Sequence, residues 1–483
     1  MSLFFISCEE ESQETLILTE DILYLSGEKV RLSGRLYSLD GKKLDNHGFL
    51  IDEDEHFSSP QKIDLGGKAN LGLFIGETSN LAAQTKYFYK AFGTVSGKDY
   101  YGQIKSTNTL RPSIKSFSPE VEYAGKKLVI EGTNFTKNTK VFFDDQEVEI
   151  LEIKFESLIT VKIPIMLGNH LPRLRVMVNG DVLEFDNPFE YVTGSWQLKS
   201  NFIDNTRIAK CAYFVKGTDF IYGLGRDYNA VPLNSNFWKL DLTTWQWESL
   251  PFTGAPVTFS FFNSAGYMGN GAINWESADV SNELWQYDDG SKEMVYVSDL
   301  PFLLYKSISF YVNNSIYVGG GFTNDGLSGV LQNNTLYRLD NISGEWVQES
   351  IMPFDFDAEF PMFVYKDTPY LISQERDVWS FDFSTRLWSV VSEFPNKIVR
   401  RRGIAEVVEP KGKAYVGLFS GDNRIWEFDI EKRLWKTKQI FPSEIKNTNS
   451  AFFSYDSKIY VMRVNTSIPQ PMELWEFDPQ YFN

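Results

Sequence analysis

The side chains with which this chain can do chemistry are carboxylates, guanidinium groups and aromatic rings. Beyond residue 195 it carries Arg226, Glu276, Glu359, Arg376 and the run Arg400-Arg401-Arg402. A glutamate can move a proton to or from a substrate oxygen, and an arginine can hold a carboxylate through a two-pronged, charge-assisted pair. Tyr228 and Trp275 offer faces for stacking on sugar rings, beside Glu276 and Asn324, which can bond hydroxyls. The three histidines, His47, His56 and His170, all lie upstream of this region. Histidine-ligated metal and histidine-activated nucleophiles are therefore excluded from it. The acidic runs 52–55, 144–147 and 324–326 lack the spacing of a twelve-residue calcium loop and read as solvated turns. No cofactor is implied.

These residues sit between copies of a repeated phrase: FWKLDL (237–242), LWQYDD (284–289), LYRLDN (336–341), VWSFDF (378–383), IWEFDI (425–430) and LWEFDP (474–479). Six residues after the aspartate stands Trp247, Met294, Trp346, Trp388 or Trp435, at spacings of 47, 52, 42 and 47. That period is the length of a propeller blade. Asp478 has no such partner, and SWQLKSNF (195–202) reads like the missing outer strand. Trp196 is expected to close the ring by pairing beside Trp475, which removes the exposed sheet edges. Upstream of each phrase lie two further apolar runs of period two, joined by turns such as Asn313-Asn314 and Asp456-Ser457. Four strands per blade follow. Glycines ending the second strands are expected to serve close packing near the axis, and Cys211 to lie buried within an inner strand.

On this phrase, residues 194–483 resemble the kelch family of six-bladed β-propellers, with the double glycine kept in Gly319-Gly320-Gly321 and degenerate elsewhere. The resemblance implies that the repeated Asp, Trp and Tyr residues are structural. Galactose oxidase, which joins such a propeller to immunoglobulin-like modules, needs copper on histidines that this propeller lacks. Some bacterial kelch propellers are sialic acid mutarotases, which need only carboxylates, arginines and polar groups; this is the enzymatic alternative. Binding is otherwise expected on loops. The connections 226–235, 272–282, 322–334 and 465–472 are long and 374–377 and 420–423 short, a wall beside a notch. Ligand contacts are expected from Arg226, Tyr228, Trp275, Glu276, Asn324, Arg376 and Arg401.

Upstream, PSIKSFSPEVEYAGKKLVIEGTNF (112–135) begins a stretch to 193 that resembles an IPT/TIG domain, an immunoglobulin-like sandwich, with Pro119, Gly125, Gly132, Asn134 and Phe135 in its signature positions. Residues 16–111 resemble the fibronectin type III-like modules of Bacteroidetes surface proteins, on VRLSGRLYSLDGKKLDNHGFLI (30–51) and KYFYKAFGTVSGKDYYGQIKSTNT (86–109). The fold class is thus all-β: two immunoglobulin-like sandwiches, then a six-bladed propeller.

Residues 1–15 read as a signal remnant and acidic linker. Phe5-Ile6-Ser7-Cys8 before Glu9-Glu10-Glu11 resembles the end of a bacterial lipoprotein signal, which implies lipidation of Cys8 and an outer-membrane, cell-surface location. An acyl chain attaches a protein to a membrane without spanning it. Two cysteines, Cys8 and Cys211, exclude a disulfide framework. Lys plus Arg number 47 against 64 Asp plus Glu, a net charge of −17 that argues against nucleic acid as a partner. A glycan or a surface protein is the expected partner of a non-catalytic binding protein.

Overall fold

A computed structural model describes residues 16–38, 43–166, 168–201, 207–227, 233–273, 279–324, 330–398, 402–409, 411–442, 447–465 and 471–482. Every regular element among them is a β-strand. The chain divides into two compact units, one ending at Tyr191 and the other running Val192–Phe482.

The first unit holds two sandwiches. In the N-terminal one, alternation along Lys86–Val95 turns Tyr87, Tyr89 and Ala91 into a core with Leu32, Phe49 and Phe74. Strand Val30–Ser38 is paired by Leu16–Thr19, Tyr24–Leu25 and Gly72–Thr78, and Asn46–Asp52 by Gln61–Asp64 and Lys86–Val95. His47 is buried, with Nδ1 2.6 Å from Gly66 O, a structural placement. In the second sandwich, four-stranded sheets centred on Lys127–Thr133 and Lys140–Phe143 enclose Leu128, Ile130, Phe135, Phe143, Val161 and Val176. Asn134 takes a left-handed φ of 57°, and its Nδ2 donates to Arg111 O at 2.8 Å. The two sandwiches are tied by Lys29 to Glu156 (2.9 Å), by the Lys137 amide to Glu28 (2.8 Å) and by Asn179 to Ala83 O (3.0 Å).

The second unit is a propeller of six antiparallel four-stranded sheets. The sixth is closed by the chain's own upstream strand, as the unpaired Asp478 led one to expect. Ser195–Asn201 pairs with Glu473–Asp478, Trp196 opposite Phe477 and Leu198 opposite Trp475. Apolar clusters fill every interface: sheets one and two around Phe214 and Trp285, two and three around Leu284 and Val318, three to five around Phe310, Phe381 and Phe428, five and six around Tyr415 and Phe477, six and one around Tyr222 and Phe453.

The repeated aspartates accept backbone amides two or three residues on: Asp241 from Thr243 at 2.7 Å, Asp288 from Ser291 at 2.6 Å, Asp340 from Ile342 at 3.0 Å, Asp382 from Ser384 at 2.8 Å, Asp429 from Lys432 at 2.9 Å and Asp478 from Gln480 at 3.0 Å. The repeated tryptophans are gripped by a feature the phrase does not contain. A phenylalanine next to a proline follows five of the six outer strands, and four of these, Phe302, Phe354, Phe394 and Phe441, insert between aromatic rings of the next blade. Phe394 lies 5.0 Å from Trp426 and 5.1 Å from Trp435; Phe441 lies 5.0 Å from Trp475 and 4.8 Å from Trp196. Phe302 and Phe354 repeat the arrangement. Such edge-on contacts add to the area buried.

One expectation is refined and one corrected. Gly320 does pack against the link to the next blade, where a Cβ would meet the Phe356 carbonyl, whereas Gly223, Gly319 and Gly417 end second strands because the third strand of the same sheet is so close. A Cβ on them would run into the carbonyl oxygens of Asn236, Thr335 and Arg424. Cys211 is buried but precedes the inner strand Ala212–Lys216 rather than lying in it. Its thiol, 3.2 Å from Ser450 O, is pushed up to about 11 by burial.

Candidate functional site

The first strand of each blade faces the propeller axis: Ala212–Lys216, Phe261–Phe262, Ile308–Val312, Met362–Tyr365, Ile404–Val408 and Asn447–Tyr455. Between them runs a cavity of ≈ 680 Å³. It reaches from the start of these strands, at Lys210, Ser307, Glu359, Arg402 and Asn449, to the turns at their far ends, Ser264, Lys366 and Asp367. Its size is that of a small-ligand site.

One mouth is framed by a collar of hydrogen bonds passing from blade to blade. The amide of Phe259 donates to Lys210 O (2.9 Å), that of Lys306 to Phe259 O (3.0 Å), that of Ala358 to Lys306 O (2.8 Å) and that of Arg402 to Glu359 O (2.7 Å). Asn449 Nδ2 continues it to Arg402 O at 2.8 Å. Lys210, Phe259, Lys306 and Arg402 share left-handed φ values of 60°, 58°, 54° and 69°. Non-glycine residues hold this conformation only where the surroundings impose it. Here bonds to both neighbouring blades do so at Phe259, Lys306 and Arg402, and the bond from Phe259 does so at Lys210.

The collar is cationic. Lys306 Nζ and Arg402 Nε each lie 2.8 Å from a Glu359 carboxylate oxygen, where little solvent reaches. Burial pushes the Glu359 carboxyl up, but Lys306 and Arg402 outweigh it and hold it at about 2. The ammonium groups of Lys210 and Lys306 lie 4.5 and 4.8 Å from the Phe259 ring centre. Burial brings Lys210 down to about 7; Arg402, Lys306 and Arg226 add to this and Glu359 opposes it. Among the described residues several cationic side chains thus gather around the Glu359 carboxylate in a mouth of low dielectric, where charge acts strongly on an arriving anion. Just inside, Ser260 and Ser307 are 3% and 1% exposed, and their hydroxyls have no hydrogen-bond partner among the described residues.

Deeper in, Tyr213 packs at 4.3 Å from the Phe262 ring and 5.2 Å from that of Phe452. Glu406 faces the same space and accepts from Ser454 Oγ at 2.8 Å. Burial pushes its carboxyl up to about 7, which the Ser454 bond offsets only in part.

The expected ligand contacts are distributed unevenly. Arg226 begins a strand paired with Ile208–Ala209 and bears on Lys210, so it stands by the collar. Arg376, at a φ of 81°, pairs with Glu393 on its own blade's outer strand and is no part of the collar. Asn324 ends the strand Phe322–Asn324; its side chain, with Tyr228, Trp275, Glu276, Arg401 and Cys8, lies outside the described residues, as do the tips of the long connections. Of the arginine run, Arg402 reaches the collar. Lys210, Phe259, Lys306, Tyr213 and Glu406 were not anticipated. A signal exists: in five blades the collar residue precedes a small one, Cys211, Ser260, Ser307, Gly403 or Ser450. At Gly403 a Cβ would strike the Phe419 ring.

Among the described residues, no cluster of histidine, cysteine, aspartate and glutamate is placed to hold a metal, and no helix is long and apolar enough to cross a membrane. No curated protein is similar to the chain in sequence. Among solved structures, that of YjhT aligns with a TM-score of 0.44 at 16% identity, covering 55% of this chain and 95% of that one. A structural-genomics protein of unknown function from Bacteroides thetaiotaomicron VPI-5482 aligns with a TM-score of 0.40 at 11% identity, covering 76% and 98%. The family model of the IPT/TIG domain matches residues 112–191, and this stretch of the chain is an IPT/TIG domain.

Proposed function

We propose that this is a non-catalytic surface-binding protein whose propeller recognises an acidic glycan at the axial collar. The observation that carries the reading is the gathering, among the described residues, of Lys210, Lys306 and Arg402, with Arg226 beside them, around the Glu359 carboxylate. It occurs in a chain whose net charge is −17, so the positive mouth is local. The cavity's aromatic and hydroxyl lining suits sugar rings. In this reading the propeller is of the kelch type, and the N-terminal sandwich is fibronectin type III-like. Both sandwiches form a stalk stiffened by the Lys29–Glu156 pair and its neighbours. A lipid on Cys8 holds the protein at the outer face of a bacterial outer membrane. A protein ligand is less suited to a narrow axial mouth.

Titration calorimetry against a panel of acidic and neutral glycans tests the proposal. Acidic members are expected to bind, and Lys306→Gln to weaken them about tenfold. Equal binding of neutral and acidic members overturns it.

The enzymatic alternative, mutarotation of a sugar acid, is favoured by one observation: Glu406 stands near neutrality inside the cavity, the range in which a carboxyl exchanges protons at pH 7. An NMR measurement of anomer interconversion in N-acetylneuraminate decides it. A rate raised by the protein and lost in Glu406→Gln makes this chain an enzyme.

A further inference from the structure

Lys210 and Arg402 of the collar lead directly into the inner strands that carry Tyr213 and Glu406. Arg402 and Glu406 are four residues apart, about 13 Å at strand rise, and Lys210 and Tyr213 three apart, about 10 Å. The cavity is continuous between them and lined on the way by Ser260, Ser307 and Ser309. The two ends differ in chemistry. The collar offers cations. The deeper part offers aromatic faces, the Tyr213 hydroxyl, and a Glu406 carboxyl already engaged by Ser454. A charged group would not be stable deep inside, because the aromatic surroundings disfavour charge, as they do on Glu406 itself. A neutral, hydroxyl-bearing body can bond there. The buried hydroxyls of Ser260 and Ser307, without partners among the described residues, give such a body further contacts between the two ends.

We infer that the propeller takes its ligand along the axis: the anionic group stays at Lys210, Lys306 and Arg402, and a neutral sugar ring reaches inward to Tyr213, Glu406 and Ser454. The ligand class is an acidic oligosaccharide with at least one neutral ring beyond the charged one, bound by its end and not along its length. This rests on the collar being the glycan site, as proposed above, and adds the direction and extent of the ligand.

The probes are a disaccharide of glucuronic acid linked to glucose, glucuronate alone, and cellobiose, titrated into the full chain. The disaccharide is expected to bind at least tenfold more tightly than glucuronate, and cellobiose at least tenfold more weakly than the disaccharide. Glu406→Gln and Tyr213→Phe should each weaken the disaccharide at least fivefold and leave glucuronate unchanged; Lys306→Gln should weaken both acids. Thermal melts check that the variants fold, and Ser454→Ala, which removes one hydroxyl, serves if either does not. If the two acids bind alike and Glu406→Gln changes neither, the axial inference is wrong while the collar remains a glycan site. If neither acid binds, the collar reading falls and the inference with it.

Discussion

The rim and the collar of the propeller are both built from one position per blade, yet they use it in opposite ways. At the rim the side chain repeats. Aspartate caps a turn in every blade, and an aromatic ring packs against a phenylalanine from the blade before. At the collar the blade-to-blade step recurs and the side chain does not: Lys210, Phe259, Lys306, Glu359, Arg402 and Asn449 stand at successive steps, four of them sharing a left-handed φ. A position whose packing is the same in every blade has one best residue. A position that points into a shared axial space has no single best residue, so its side chains can differ from blade to blade and gather charge around one mouth.

The sharpest way to break this contrast is to damage the rim alone. Phe394 is fully buried between Trp426 and Trp435. Phe394→Ala should lower unfolding free energy by about 3–5 kcal/mol through the cavity it leaves. Denaturant unfolding measures this, and calorimetry at low temperature should find acidic-glycan affinity intact. Lost affinity in still-folded protein would mean that rim and collar are not separable.

Glu406 gives the next largest effect, on stability against pH. Its carboxyl titrates at about 7 in the fold and near 4.5 when unfolded. Between those values the folded state holds the extra proton, so stability falls as pH rises from 4.5 to 7. The loss is about 1–3 kcal/mol, reduced from the full shift by water in the cavity. Glu406→Gln should match the parent at pH 4 and exceed it at pH 8. Identical pH profiles from chemical denaturation would contradict the assignment.

At the collar, Lys306→Gln removes one cation and one bond to Glu359. Anion affinity should fall about tenfold, in line with about 1.5–3 kcal/mol for a charge-assisted hydrogen bond. The melting temperature should move far less than in Phe394→Ala. If stability falls as much as in the rim variant, the collar is a structural element.

The smallest effect concerns Lys210, which loses its proton near pH 7. Acidic-glycan affinity should therefore decline a few-fold between pH 6 and 8, and Lys210→Met should flatten that slope in titrations across the range. Stability moves the other way. The unfolded chain holds this proton up to about 10.5, so Lys210 makes the fold more stable as pH rises from 7 towards that value.

Much of the architecture was legible because it rests on local chemistry repeated in the chain. The Asp–Trp phrase showed six blades, and the mismatch between Trp196 and Asp478 showed how the ring closes, because a strand and its partner need not be adjacent in sequence. The turns at Asn313-Asn314 and Asp456-Ser457 were legible too, and all four residues take left-handed φ. The Pro–Phe insertions were written just as plainly and were overlooked, because they belong to the links and not to the phrase.

The site was legible only in part. Arg226 and the arginine run lead to the collar, but Lys210, Lys306, Tyr213 and Glu406 look in sequence like ordinary strand residues. Their burial and mutual distances arise only when six inner strands surround one axis. The sequence by itself determined the kind of molecule: period-two strands, the repeat length and the closing strand permit little else. Which cations would share a mouth, which carboxyl would be driven towards neutrality, and where an aromatic cavity would lie were decided by tertiary structure alone. Electrostatic and desolvation energies depend on distance and enclosure, and neither is local in the chain.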